Sequence, residues 1–158
     1  MSIGTRFKKA MLGTSLAVLL VATASAAWAG AKEEVTAAMN AWRDNLKVST
    51  PADPSKVTSL YAKDGVLWGT ISPTVRATPE LIKDYFVNAL TKLPKLTVVF
   101  KDPLIRVYGD VAINTGYYTF TYEKEGKMVD LPARYSFAYV KSGGKWLIVD
   151  HHSSGMPK

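Results

Sequence analysis

The sequence predicts an α+β domain in which helices pack on one face of a curved antiparallel sheet. Two observations lead to this fold class. Residues 31–93 contain amphipathic helical stretches, and from Lys95 onward the apolar residues alternate with a period of two. Helices that come first and strands that follow are typical of α+β domains rather than of alternating βαβ units. We see no internal repeat or low-complexity linker, so we expect a single domain.

The N-terminal segment has the composition of a secretory signal peptide. Three basic residues at positions 6–9 precede an apolar run at 10–24, and small residues follow it. This order predicts cleavage after Ala26 or Ala29 and a protein that is periplasmic or secreted. The apolar run is shorter than the ~20 residues that span a bilayer, so we expect no membrane association after cleavage.

Cleavage after residue 29 leaves residues 30–158, which is 129 of the 158 residues and suits one domain with a modest core. The net charge then falls from +7 to +4, because three of the 20 basic residues and no acidic residue are removed. No basic stripe remains, so nucleic-acid binding is not expected. The chain contains no cysteine, so packing rather than disulfides must stabilise it.

The first predicted element of this domain is a helix over residues 31–47. Its apolar residues recur at helical spacing and form one stripe that we expect in the core, namely Val35, Met39, Trp42 and Leu46. A short helix over 54–65 should follow and end at Gly65, and the next residues, GVLWGTIS, predict a short strand.

The second long helix is predicted to begin at Pro79. Thr78 suits the N-cap, and proline suits the first helical position because no N–H is needed there. Pro94 should end the helix. Four strands follow as a meander, with turns at Gly109-Asp110, at EKEGK and at SGG, and with a break in the first strand at Pro103.

Both faces of the predicted strand from Val111 to Glu123 carry bulky side chains. A sheet with one solvated face alternates more cleanly between apolar and polar residues. We therefore expect one face to cover the helices and the other to meet a partner chain or to shape a cavity. Gly116 in the middle of this strand would permit a bend or bulge.

Several of these segments together resemble the nuclear transport factor 2-like superfamily. They are LYAKDGVLWGT, IRVYGDVAINTGYYTF and YVKSGGKWLIVDHHSSGMP. The most specific is GKW at 144–146 with the His-Ser-Ser-Gly-Met-Pro ending, which is similar to the association (hub) domain of calcium/calmodulin-dependent protein kinase II and to secreted bacterial SnoaL-like proteins. The resemblance implies a cone-shaped sheet wrapped around a long N-terminal helix, a cavity at the wide end, and a homodimer or larger ring as the assembly. It implies no kinase activity.

The resemblance also indicates how the cavity differs from that of the hub domains. When the chain is matched from Gly144, the hub's cavity arginines fall at Tyr118, Phe137 and Ser153, and a cavity tyrosine falls at Tyr61. A carboxylate ligand therefore loses support, although it stays open because arginines at other positions could supply a positive charge. The three that we considered are Arg76, Arg106 and Arg134.

The C-terminal segment DHHSS contains both histidines of the chain. Neighbouring strand residues point to opposite faces, so Asp150 and His152 share one face and His151 and Ser153 the other. Two diverging histidines make a metal site improbable, and we expect no metal or cofactor. Asp150 and His152 could form an acid–base pair, whereas the simpler interpretation is a structural hydrogen-bond network.

Three functional hypotheses follow. The first is an exported homo-oligomer that binds a small organic ligand. We expect its cavity wall to contain aromatic and polar side chains, namely Tyr61, Trp68, Tyr118, Arg134 and His151. The second is a SnoaL-like isomerase, hydratase or hydrolase that uses Asp150 and His152. The third is an assembly module whose cavity is filled by its own side chains.

Overall fold

The computed structural model describes residues 15–157, and side chains from Gly30 onward. The predicted signal peptide, residues 1–29, lies outside the residues whose side chains are described. The elements in chain order are α1 Ser15–Val48, α2 Ser55–Thr58, β1 Tyr61–Trp68, α3 Pro79–Lys92, β2 Thr97–Tyr108, β3 Val111–Lys124, β4 Lys127–Ser142 and β5 Lys145–Gly155.

The five strands form one curved sheet in the order β1-β5-β4-β3-β2. The predicted antiparallel meander of β2 to β5 is confirmed by the pairing of each strand with the next. Strand β1 joins the other edge parallel to β5, so the sheet is mixed and not wholly antiparallel as predicted. A parallel pair needs a long crossover. Here the chain from β1 to β5 includes α3 and the whole meander, and local sequence patterns do not reveal that pairing.

Helix α1 lies against the concave face of the sheet, and its predicted apolar stripe is confirmed. Val35, Met39, Trp42 and Leu46 are all buried, with at most 5% of any of them exposed. At one end of the sheet Glu34 accepts hydrogen bonds from Lys141 Nζ of β4 and from Trp146 Nε1 of β5, the latter at 2.9 Å. The helix is thus joined to the sheet by both apolar packing and charge.

The predicted end of the short helix at Gly65 is wrong. Helix α2 ends at Thr58, and Tyr61 is already the first residue of β1. Gly65 lies inside the strand, where the pairing with β5 shifts register between Tyr61 and Val66. A Cβ at Gly65 would lie 2.9 Å from the carbonyl oxygen of Ala62, so the bulge requires glycine. Pairing with β5 therefore overrides the local helical pattern.

Helix α3 begins as predicted. The Thr78 side chain accepts a hydrogen bond from the backbone N–H of Leu81 at 3.3 Å, and Pro79 is the first helical residue. The break in β2 is also confirmed, since its register with β3 shifts between Lys101 and Leu104. Gly116 faces this break, as a Cβ there would lie 3.0 Å from a backbone oxygen of β2.

The two faces of the sheet have different surroundings. The concave face is buried beneath α1 and α3, and Tyr118, Phe137 and Tyr139 on it are at most 1% exposed. The convex face carries exposed large apolar side chains, with registers that place them on the same side of the sheet, namely Trp68, Val99, Leu104, Tyr108, Val111 and Tyr117. Both faces carry bulky side chains, as the sequence predicts. No element of the described chain packs on the convex face.

Candidate functional site

The concave face holds a cluster of buried polar side chains centred on His151. His151 is 3% exposed and lies on β5 between β1 and β4. Strand pairing brings Tyr61 of β1 beside it, and Tyr118 approaches from β3. Trp42 of α1 covers the imidazole ring edge-on, with ring centroids 5.3 Å apart. The cluster is therefore assembled from four elements that are distant in sequence.

The hydrogen bonds in this cluster join four side chains. The Trp42 indole N–H donates to the Tyr61 hydroxyl at 3.1 Å, because an indole N–H cannot accept. The same hydroxyl lies 2.7 Å from Nδ1 of His151, and which of the two donates depends on the ring nitrogen that carries the proton. Nε2 of His151 faces the Tyr118 hydroxyl at 3.4 Å.

Burial keeps the cluster uncharged near neutral pH. Loss of hydration lowers the pKa of His151 to about 3, and the neighbouring charge of His152 acts in the same direction. The pKa of Tyr61 and that of Tyr118 are raised far above the usual value for the same reason. His151 is thus a neutral hydrogen-bonding group and not a cationic one.

From Tyr118 the hydrogen bonds continue towards the turn that follows β1. The Tyr118 hydroxyl donates to Ser153 Oγ, and Ser153 Oγ is bonded in turn to the Thr70 hydroxyl. The Thr70 hydroxyl lies against the hydroxyl of Tyr85 on α3, together with the backbone N–H groups of Thr70 and Ile71. Burial raises the pKa of Tyr85 to about 12, so this phenol is also neutral.

A small cavity adjoins this end of the chain of hydrogen bonds. Its volume is about 20 Å³, which is room for about one water molecule. Pockets that hold drug-sized ligands measure about 300–1,000 Å³. The lining combines hydroxyl groups and His151 with aliphatic and aromatic side chains, namely Trp42, Leu46, Thr70, Ile71, Tyr85, Phe86, Ala89, Leu93, Leu96, Tyr118, Phe120, Leu131, His151 and Ser153.

The structure brings together three of the five predicted wall residues. Tyr61, Tyr118 and His151 form the buried cluster beside the cavity. Trp68 is 49% exposed on the convex face, so its predicted place in the cavity wall is not observed. The same correction applies to Arg134, which is exposed and donates from Nε to Ser154 at 3.0 Å. Both residues alternate with inward-pointing neighbours, which fixes them on the opposite side of the sheet.

The predicted acid–base pair also lies away from the cavity. His151 and Ser153 are buried on the concave side, whereas His152 is exposed and Asp150 is half-buried on the convex side. The predicted alternation is thus confirmed. Burial raises the pKa of Asp150, and the charge of His152 partly offsets this. No hydrogen bond joins Asp150 to His152 in residues 30–157, so geometry gives the acid–base hypothesis no support.

The other candidate arginines do not charge the cavity either. Arg76 donates from Nη1 to Asp84 of α3 at 2.7 Å, and Arg106 is exposed on the convex side of β2. Sequence reasoning missed Thr70 and Tyr85 as site residues. Tyr85 belongs to an apolar helical row typical of core packing, and nothing in the sequence indicates that the turn carrying Thr70 meets it. Gly69 permits this contact, because a Cβ there would overlap the Tyr85 ring.

Two further features are absent from the described residues, a cluster of metal-binding side chains and a membrane-spanning helix. Over residues 30–157, no three side chains of the metal-binding types His, Cys, Asp and Glu converge on a common point. Among the helices of the described chain, none combines the length and apolar character needed to cross a membrane.

The fold is nuclear transport factor 2-like. A Salmonella enterica protein of that superfamily superposes with a TM-score of 0.67 at 21% identity, covering 82% of this chain and 94% of that one. A Streptomyces avermitilis protein of the nuclear transport factor 2-like family gives a TM-score of 0.69 at 15% identity, covering 80% and 97%. These similarities show the fold alone.

The sequence identifies the family. Residues 31–157 match the calcium/calmodulin dependent protein kinase II association domain family, and the chain belongs to it. A solved structure from Xanthomonas campestris, described as such an association domain, is 45% identical with a TM-score of 0.72, covering 79% of this chain and 87% of that one. Curated proteins give no significant match.

Proposed function

We propose that this chain is an exported, self-associating domain, in which two copies pair through the convex face of the sheet and each cone takes a small organic ligand. Association domains of this family typically self-associate. Export is supported by the signal-like composition of residues 1–29. The observation that carries self-association is the set of exposed apolar side chains on the convex face.

The convex face is more apolar than an isolated protein surface requires. Trp68 and Tyr117 are each 49% exposed, and Leu104 is 65% exposed. Large apolar residues left exposed on one face of a protein mark interfaces, and aromatic residues are enriched in them. Single exposed apolar residues are ordinary, but here they recur on β1, β2 and β3 and face the same way.

A second copy of this chain is the occupant that best fits the face. Pairs of identical chains most often meet through the same patch on both, so each residue contributes twice. Arg134 and Asp150 carry opposite charges on this face, and two-fold pairing can bring one copy's arginine to its partner's carboxylate.

A substitution at Tyr117 tests this interface. About half of a tyrosine side chain, on the order of 100 Å², is exposed there, which corresponds to about 2.5 kcal/mol of apolar burial per copy. Tyr117→Asp removes this apolar burial from both copies and also places a negative charge in the interface. Sedimentation analysis should give a dimer or ring for residues 30–158 and a monomer for the variant.

Leu81→Asp is the matched control. Leu81 is 41% exposed but lies on α3, away from the convex face, so this variant should keep the wild-type mass. A monomeric wild-type protein, or a Tyr117→Asp variant that assembles as well as the control, would remove the basis of the proposal.

The ligand-binding part of the proposal depends on the cavity. Hydroxyl groups meet apolar side chains there, which is the usual composition of a small-molecule site. The cavity of about 20 Å³ limits the ligand to a few atoms unless the walls move. Native mass spectrometry of protein purified gently from the host's periplasm should show each subunit with added mass. A bare subunit mass, with the oligomer intact, would favour the assembly-module hypothesis.

A further inference from the structure

We infer that the cavity selects an uncharged ligand, which carries a small polar group such as an amide on an apolar body. This inference rests on the ligand-binding part of the proposed function and specifies its chemistry. It depends on two observations: no described side chain of the lining is charged near neutral pH, and the lining combines hydroxyl groups with apolar side chains.

The lining contains no group that is charged near neutral pH, as far as the described side chains extend. Its polar members are three kinds of hydroxyl-bearing residue and one imidazole, namely Thr70, Tyr85, Tyr118, Ser153 and His151. His151 is 3% exposed and its ring nitrogens face the hydroxyls of Tyr61 and Tyr118, and burial lowers its pKa to about 3, so it is neutral. An ion in this cavity would lose its hydration without gaining a counter-charge, which costs several kcal/mol.

The charged side chains near the site have partners or lie behind the sheet. On the helix side, the charge of Arg76 acts on the Tyr85 phenol, but Arg76 is paired with Asp84. Arg106 and Arg134 lie on the convex side of the sheet, and the sheet itself separates them from the cavity. A carboxylate ligand would therefore need an arginine to leave its present partner or to cross the sheet.

The hydroxyl groups of the lining can pair with a polar group of the ligand. Tyr118 donates to Ser153, and Ser153 and Thr70 share a hydrogen bond in which either hydroxyl can donate. Because a hydroxyl can both donate and accept, the lining can bind an amide or carbonyl group without a charge on either side.

The apolar part of the lining limits the rest of the ligand. It consists of Phe86 and Ala89 of α3, Leu93 just after this helix, Leu96 and Leu131. Leu93 and Leu131 are half-buried, so they are the side chains that can move outward to enlarge the cavity, which any ligand larger than a water molecule requires.

An isosteric pair of probes tests the inference. Isobutyramide and isobutyrate have the same shape and differ in charge, and both can be titrated into residues 30–158 at pH 7 while backbone amides are followed by NMR. Isobutyramide should give saturable shifts at positions 70 and 151–153, and isobutyrate should bind at least tenfold more weakly. Ser153→Ala should weaken isobutyramide about fivefold, because one hydrogen bond of about 1 kcal/mol is lost from the chain.

The control variant is Ser142→Ala, at the exposed end of β4, which should bind isobutyramide like the wild type. The wild-type comparison of the two probes stands even if Ser153→Ala folds poorly. If isobutyrate binds as tightly as isobutyramide at the same amides, the inference that the ligand is uncharged is wrong, but the cavity is still a ligand site. Failure of both probes to shift these amides would overturn the cavity as a ligand site, and with it this inference.

Discussion

Lowering the pH from 7 to 5 should destabilise this protein, and His151 should be the main cause. In the folded chain burial lowers the pKa of His151 to about 3, whereas in the unfolded chain a histidine titrates near 6.5. Between these two values the unfolded state binds more protons than the folded state, so stability falls as the pH falls. Below a pH of about 3 both states are protonated and the loss is complete.

The magnitude follows from the two pKa values. Each pH unit inside this window changes the free energy of unfolding by about 1.4 kcal/mol per proton. At pH 5 the solution is about 1.5 units below the unfolded value, so the loss is about 2 kcal/mol. That is a large fraction of the 5–15 kcal/mol by which a domain is usually stable.

Urea unfolding at pH 7 and pH 5, at one fixed protein concentration, measures this loss. His151→Gln removes the titrating group and should flatten the difference to a few tenths of a kcal/mol, although the variant is less stable at both pH values. His152→Gln is the comparison variant: it removes the charge that adds to the His151 shift but leaves the burial that is its larger cause, so most of the wild-type pH dependence should remain. Asp150, whose pKa burial raises, titrates in the opposite sense and is present in all three proteins. A His151→Gln variant as pH-dependent as the wild type would refute the reasoning.

Three further substitutions have expected effects on stability that thermal or urea unfolding can check. Trp42→Ala should cost about 3–5 kcal/mol, because a fully buried ring is lost and Tyr61 loses its donor; a cost below 1 kcal/mol would contradict the packing. Gly69→Ala should cost about 1–3 kcal/mol by displacing the Tyr85 ring, and it should also alter tyrosine fluorescence; an unchanged protein would show that the ring is free to move. Thr78→Ala should cost about 1 kcal/mol through the lost N-cap of α3, whereas Thr78→Ser should restore most of it.

The helices and the strands of the meander could be predicted because each depends on residues that are close together in the sequence. The stripe containing Val35 and Trp42 has the helical period, and Thr78-Pro79 marks a helix start by its own chemistry. The strands of the meander alternate with a period of two, and their turns are short. Each of these features depends on residues within about ten positions of one another, and all of them are confirmed.

Alternation along β5 also divided the candidate site correctly. Since neighbouring strand residues face opposite ways, the sequence alone placed His151 and Ser153 on one side and Asp150 and His152 on the other. It could not say which side is the interior. That depends on where α1 crosses the sheet, which is a property of the whole fold.

The remaining features depended on contacts between residues far apart in sequence. The parallel pairing of β1 with β5 joins Leu67 to His151 across most of the domain, and it turned a predicted helix into a strand. The meeting of Thr70 with Ser153, and of Tyr61 with His151, follows from that pairing. By itself the sequence determined the periods, the caps and the alternation, because these arise from nearest neighbours along the chain. Only the tertiary structure decided which face is enclosed, which residues share the cavity and which residues form its hydrogen bonds, because burial and hydrogen bonding act between neighbours in space.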